Sequence, residues 1–157
     1  KNMEKHWGFS DDVSVLDVGC AKGFFLHDFI ELFPKSTVAG IDVSEYALLN
    51  SMPSVKPKLK LGSAEELPFD DNSFDLVISV NSIHNLPMEK CKQAIREVTR
   101  VSRRYSYVTL DAWKNEQQRK NLMKWILTAE TYMHVDEWEK LFLELGYYGD
   151  YGWFIAE

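Results

Sequence analysis

Apolar positions along the chain fall into two rhythms that take turns. Val13 to Val18 is a short apolar run between Asp11-Asp12 and Gly19, the pattern of a buried strand. Gly23 to Phe33 carries Phe24, Phe25, Leu26, Phe29, Ile30, Leu32 and Phe33 at mixed helical spacing, and Pro34 stops it. Thr37 to Ile41 predicts a second strand ending at Asp42, after which Ser44 caps a helix holding Tyr46, Ala47, Leu48 and Leu49. Pro53 and Pro57 mark a loop, and Lys58 to Leu61 predicts a brief third strand. FDLVISV, Phe74 to Val80, is apolar almost throughout, as a central parallel strand covered on both faces must be.

The rhythms continue in the second half. Met88 to Val101 has helical periodicity through Cys91, Ala94, Ile95, Val98 and Val101, and Tyr105 to Leu110 alternates as a strand. Gln117 to Thr128 and Val135 to Leu145 predict helices, the second ended by Gly146. The aromatic tail, Tyr147 to Ala156, predicts an antiparallel closing hairpin through Gly149 and Gly152. Strands alternating with helices at crossover intervals predict an α/β fold, a Rossmann-like doubly wound and mostly parallel sheet with helices on both faces. With no repeat, linker or low-complexity stretch, residues 1–157 are expected to form a single domain.

Composition narrows the classes. No apolar run approaches the roughly 18 residues of a membrane span, and the expectation from these residues is a chain without a signal peptide. Cys20 and Cys91 are too few for a disulfide framework and lack metal-ligand spacing, so the expectation is a reduced, cytoplasmic setting with no metal. A net charge of −6 disfavours a nucleic-acid partner. The basic stretch from Lys90 to Lys124 reads as a solvated helix face, with an anionic acceptor or partner as its functional alternative.

The candidate chemistry sits at VLDVGCAKGFFL, residues 15–26. In doubly wound sheets ligands bind outside the carboxyl ends of the strands, so Gly19 to Gly23 should line the crevice. Glycine there allows close approach and positive φ, and the following helix offers free N–H groups to an anionic group. A phosphate-cradling P-loop is excluded because Lys22 precedes Gly23. The dinucleotide fingerprint fails because Ala21 and Phe24 stand where its second and third glycines belong, which disfavours an NAD-binding oxidoreductase.

Four segments in order, VLDVGCAKGFFL, AGIDVS, GSAEELPFDDNSFDLVIS and AIREVTRVSRRYSYVTL, resemble the class I S-adenosylmethionine-dependent methyltransferases, UbiE-like members included. The resemblance implies S-adenosylmethionine as cofactor and S-adenosylhomocysteine as product. It implies that Asp17, Gly19, Cys20, Ala21 and Gly23 form the loop at the methionine end, and that Asp42 accepts from the ribose hydroxyls. Val43 would lie on adenine, Ser63 and Ala64 at its edge, and Val80 and Asn81 beside the methyl-transfer site. The chain departs from the family pattern at three places. Ala21 replaces the usual middle glycine, Ser63 stands where many relatives carry Asp, and SRRYSY replaces a Pro-Gly-Gly. Only about a dozen residues precede the first strand, where relatives carry covering helices, so a minimal member, a trimmed N-terminus or a cover supplied by a partner is expected.

His84, in NSIHNLP after the fourth strand, is the candidate general base, because its pKa lies near neutrality. The bland alternative is a histidine that closes the loop onto backbone. His134, Tyr132 and Trp113 are candidate pocket residues, and Trp125 and Trp138 are expected in the core. The leading expectation is transfer of a methyl group to a small-molecule acceptor by a monomer or homodimer. The rival is a non-catalytic methyltransferase-like subunit, motivated by the short N-terminus and the aromatic tail of Tyr147, Tyr148, Tyr151, Trp153 and Phe154.

Overall fold

A chain whose strands are apolar on both faces needs two cores, and this one has them. The computed structural model describes residues 2–8 and 10–157. Its elements are α1 (Asn2–Trp7), β1 (Ser14–Val18), α2 (Phe24–Leu32), β2 (Thr37–Asp42), α3 (Glu45–Leu49), β3 (Leu59–Leu61) and β4 (Phe74–Val80). They continue with α4 (Met88–Val101), β5 (Ser102–Trp113), α5 (Glu116–Trp125), β6 (Met133–His134), α6 (Val135–Leu145) and β7 (Asp150–Phe154). Side chains of β1 and β4 alternate between the two cores. Leu16, Val18 and Val77 join the side chains of α4 and α6, including Ile95, Val98, Trp138 and Phe142. Val15, Leu76 and Ile78 join Leu26 and Phe29 of α2, with Trp7 of α1. That two-sided burial is why FDLVISV is apolar almost throughout.

The sheet order is β3-β2-β1-β4-β5-β6, with β7 also paired to β5. All six pairings among the described residues run parallel. The doubly wound α/β expectation therefore holds, but the antiparallel hairpin of the tail does not form. The tail gives one strand, β7, whose Asp150 to Phe154 pair in parallel with Tyr107 to Asp111. The reason is the α6 crossover, which brings the chain back in the direction of β5. The glycines read as turn residues serve close packing instead. A Cβ on Gly149 would overlap the Ser106 side chain, and one on Gly152 would come within 2.5 Å of the Tyr107 hydroxyl. The predicted helix over 117–128 also stops early, at Trp125, where Ile126 turns to φ −55° and ψ 126°.

The basic stretch has work inside the fold. Arg100 donates to the carbonyls of Leu67 (3.0 Å) and Phe69 (2.8 Å), to Asp71 (2.9 Å), and twice to Glu97. Glu97 in turn accepts from the Leu67 N–H at 2.8 Å. Arg103 donates to the carbonyls of Asn72 and Ser73. These two guanidinium groups thus pin the segment that runs from β3 to β4. Arg100→Met should lower stability by about 2 kcal/mol, because it leaves the buried Glu97 carboxylate short of a partner. A urea-denaturation midpoint unchanged from wild type would contradict that role. Among the described residues, no helix is long and apolar enough to cross a membrane.

Candidate active site

The strand order reverses between β1 and β4: the chain runs from β1 outward to β3, then returns to place β4 on the other side of β1. Outside the carboxyl ends of these strands lies a cleft of about 250 Å³. Its walls include Gly19, Asp42, Val43, Ser63 and Ala64, together with Ser82, Asn85 and Leu86. This is where a doubly wound sheet leaves room for a ligand, since the flanking loops part in opposite directions.

The loop after β1 is built tightly. Gly19 has φ +86°, and a Cβ there would overlap the Ser82 side chain, so only glycine fits. The N–H groups of Gly19 and Cys20 both donate to the Ile41 carbonyl, at 2.7 and 3.0 Å. Ala21 holds φ +46°, a left-handed conformation unusual for a residue with a Cβ, and its N–H donates to Asp42 Oδ2 at 2.7 Å. Gly23, at φ +74°, begins α2 with no side-chain cap and no acidic residue in the first turn. The helix therefore starts with free N–H groups.

The two acidic residues live in different surroundings. Asp42 accepts from Ala21 N–H and, through Oδ1, from Ser44 N–H at 2.8 Å, so it does part of the capping work that a purely structural carboxylate would do. A carboxylate offers about four acceptor sites, and Asp42 still borders the cleft. Asp17 is 6% exposed. Burial, and then the charge of Asp42, push its carboxyl up to about 7. Cys20, beside them, is buried, and its thiol is pushed up to about 12 by desolvation and by both carboxylates. It is a packed spacer with little thiolate character.

Of the residues singled out in the sequence, Gly19, Asp42, Val43, Ser63 and Ala64 line the cleft together. Asp17, Cys20, Ala21, Gly23 and Val80 do not line it. Asp17 and Cys20 are buried, and Ala21 reaches the site through its bond to Asp42. Asn81, at φ +50°, lines a second cavity of about 280 Å³ with His84, Asn85 and Asp111. Asn85 borders both spaces. His84 holds a loop through its backbone, its carbonyl accepting from Glu130 and Thr131 N–H, while its ring stands apart from that bond.

Other expectations are corrected. His134 caps α6, its Nδ1 accepting from Asp136 N–H, and lines neither cavity. Trp113 and Tyr132 pack on each other and line neither. Trp138 is fully buried, as expected, but Trp125 is 63% exposed at the second cavity. Ser82, Asn85 and Asp111 were not anticipated. The only sequence signal for them was their position just past β4 and near the end of β5.

A family profile described as a methyltransferase domain matches residues 15–105, more than half of the chain. The chain belongs to this methyltransferase domain family. The domain is of the class I, S-adenosylmethionine-dependent type, and the fold agrees. The YcgJ protein of Bacillus subtilis superposes with a TM-score of 0.71 at 19% identity, covering 92% of this chain and 65% of that one. A tRNA (carboxymethyluridine(34)-5-O)-methyltransferase of Arabidopsis thaliana is 30% identical over 126 residues, 79% of this chain and 30% of the relative. A demethylmenaquinone methyltransferase of Staphylococcus aureus is 36% identical over 108 residues, 64% of this chain and 43% of the relative. The methyltransferase domain thus spans less than half the length of either relative.

Proposed function

We propose that this chain moves a methyl group from S-adenosylmethionine to a small-molecule acceptor, with the cofactor in the cleft between β1 and β4. The observation that carries the reading is Asp17, a buried carboxyl without a hydrogen-bond partner among the described residues, directly behind Gly19, where the fold leaves no room for a side chain. Burying such a group costs stability unless a cation meets it. The methionine ammonium of the cofactor is a cation of the right kind. The free N–H groups at the start of α2 suit the neighbouring carboxylate. Asp42 holds the ribose through its remaining acceptor sites, Val43 covers adenine, and Ser63 and Ala64 meet its edge. Val80 and Asn81 border the methyl-transfer end.

When bound, the cofactor supplies a methyl group already activated by the adjoining sulfonium charge. The protein's contribution is then to hold the acceptor in line and to exclude water. His84, next to Asn81, is placed to take a proton from an acceptor that carries one. The relatives' names point to tRNA in one case and demethylmenaquinone in another. The net charge of −6 supports the small molecule here. The aromatic tail that motivates the subunit alternative is divided, with Tyr148 and Tyr151 exposed and the rest at least partly packed. Tyr147 is buried, and Trp153 stacks on Phe142.

Thermal unfolding with S-adenosylhomocysteine tests the reading. Ligand at about 100 times its dissociation constant adds about 2.7 kcal/mol to a protein that binds only when folded. An upward shift with S-adenosylhomocysteine and none with NAD is the expected result. A shift with neither ligand, in a chain that still melts cooperatively, would overturn the proposal.

A further inference from the structure

The second cavity is separated from the cofactor cleft by the segment 81–86 and is comparable to it in volume, about 280 against 250 Å³. Its lining is mixed, with apolar Trp125, Leu127 and Phe154 beside polar His84 and Asp111. The segments 84–86 and 128–131 are fastened together. Thr128 Oγ1 donates to Asn85 Oδ1 at 3.0 Å, Thr131 Oγ1 to the Leu86 carbonyl at 2.7 Å, and the Glu130 and Thr131 N–H groups to the His84 carbonyl. Leu127 is nonetheless 94% exposed, so a large apolar side chain stands uncovered at the mouth.

His84 is 4% exposed, and its Nδ1 is buried with no hydrogen-bond partner. Its Nε2 lies 3.5 Å from Asp111 Oδ1, an ion-pair distance longer than a good hydrogen bond. The fold has brought an imidazole and a carboxylate together at the wall of this cavity. The cavity holds no Lys or Arg, so nothing there compensates an anionic acceptor.

We infer that this cavity binds the methyl acceptor, an uncharged, largely apolar molecule presenting a hydroxyl to the His84–Asp111 pair, which takes its proton as the oxygen is methylated. The inference rests on the methyltransferase reading and narrows it to an O-methyltransferase. The balance is simple. The acceptor O–H bond breaks toward the pair and an O–C bond forms. The methyl–sulfur bond breaks with its electrons left on sulfur, giving an ether and a neutral thioether. Burial holds the His84 pKa below its usual value, and the Asp111 charge and the Thr109 carbonyl oppose this less strongly, which favours the neutral ring. The Asp111 carboxyl from β5 and the Thr109 carbonyl are the polar groups acting on the ring. The remaining side chains of the cavity, on the segments 81–85 and 125–129 and on β7, carry no charge.

Three matched bicyclic probes test it: 2-naphthol, 2-naphthylamine and 2-naphthoate, each with S-adenosylhomocysteine present for binding and S-adenosylmethionine for turnover. Binding is read by tryptophan quenching, with Trp125→Phe as control. The expected result is that naphthol binds, loses its quenching signal in Trp125→Phe, and gives the methyl ether, while naphthoate binds at least tenfold more weakly. His84→Gln should cut turnover at least 100-fold while keeping the S-adenosylhomocysteine thermal shift, which shows that it folds and that the cofactor site is intact. Asp111→Asn should move the acid limb of the pH–rate profile to lower pH, since the carboxylate that favours the charged ring is gone. Naphthoate preferred to naphthol, no probe bound, or wild-type turnover in His84→Gln would each overturn the inference. A missing S-adenosylhomocysteine shift in the wild-type protein would instead bring down the methyltransferase reading beneath it.

Discussion

Replacing Asp17 with asparagine is expected to make the unliganded protein more stable at pH 8 and to weaken its hold on S-adenosylhomocysteine. The folded carboxyl titrates at about 7 against an ordinary value of 3.8. Between those values the native state carries a proton that the unfolded state has already released. Stability therefore falls as pH rises from about 4 to about 7, and stays low above that. Asparagine has no charge to desolvate, so its pH–stability curve lacks this descent. The gain at pH 8 is at most on the order of 4 kcal/mol, and near pH 4 the two proteins should be closely matched. The same carboxylate should ionise when it meets the cofactor's ammonium. Calorimetry of S-adenosylhomocysteine binding at pH 6, in buffers of different ionisation enthalpy, should then show proton release in wild type and none in the variant. Urea titrations that give parallel curves for both proteins from pH 4 to 8 would contradict this account of Asp17.

The second large effect belongs to Asp42. Asp42→Ala removes the acceptors of the Ala21 and Ser44 N–H groups as well as the proposed ribose contact. Ser44 still caps α3 through its own hydroxyl, which accepts from Ala47 N–H at 3.2 Å, so the loss of fold stability should be modest, about 1 kcal/mol. Cofactor affinity should suffer far more. Two hydrogen bonds to a charged group, at about 1.5–3 kcal/mol each, correspond to a loss of at least 100-fold. Asp42→Asn, which keeps one acceptor oxygen, should fall between. Unchanged affinity for S-adenosylhomocysteine in the alanine variant would remove Asp42 from the ribose.

The sequence disclosed most where one physical demand acted alone. β4 and α4 have the bounds that periodicity predicted, Phe74–Val80 and Met88–Val101, because burial on two faces or on one fixes their pattern. Asp17 and Asp42 stood out as acidic residues within or at the end of otherwise apolar strands, Ser14–Val18 and Thr37–Asp42. β5 was harder: it begins at Ser102, and the charged Arg103 and Arg104 that follow hide a strand start from any apolar pattern. β7 was misread as half of a hairpin because Gly149 and Gly152 serve close packing, which in sequence looks the same as a turn. Trp125 looked like core because helical spacing does not say which face a helix end exposes. Asp111 was invisible, because its partner His84 lies 27 residues away and only the β4–β5 pairing brings them together.

Cys20 and Cys91 offer a way to time the opening of the molecule. Both thiols are buried and pushed up to about 12, so an alkylating reagent finds almost no thiolate in the closed protein. Cys20 becomes reactive when the loop after β1 lifts, a local event. Cys91 sits in the α4 core and reacts only when that helix leaves the sheet. The ratio of the two labelling rates therefore separates breathing of the cofactor loop from global unfolding. A ligand seated on that loop should slow the first rate by a larger factor than the second.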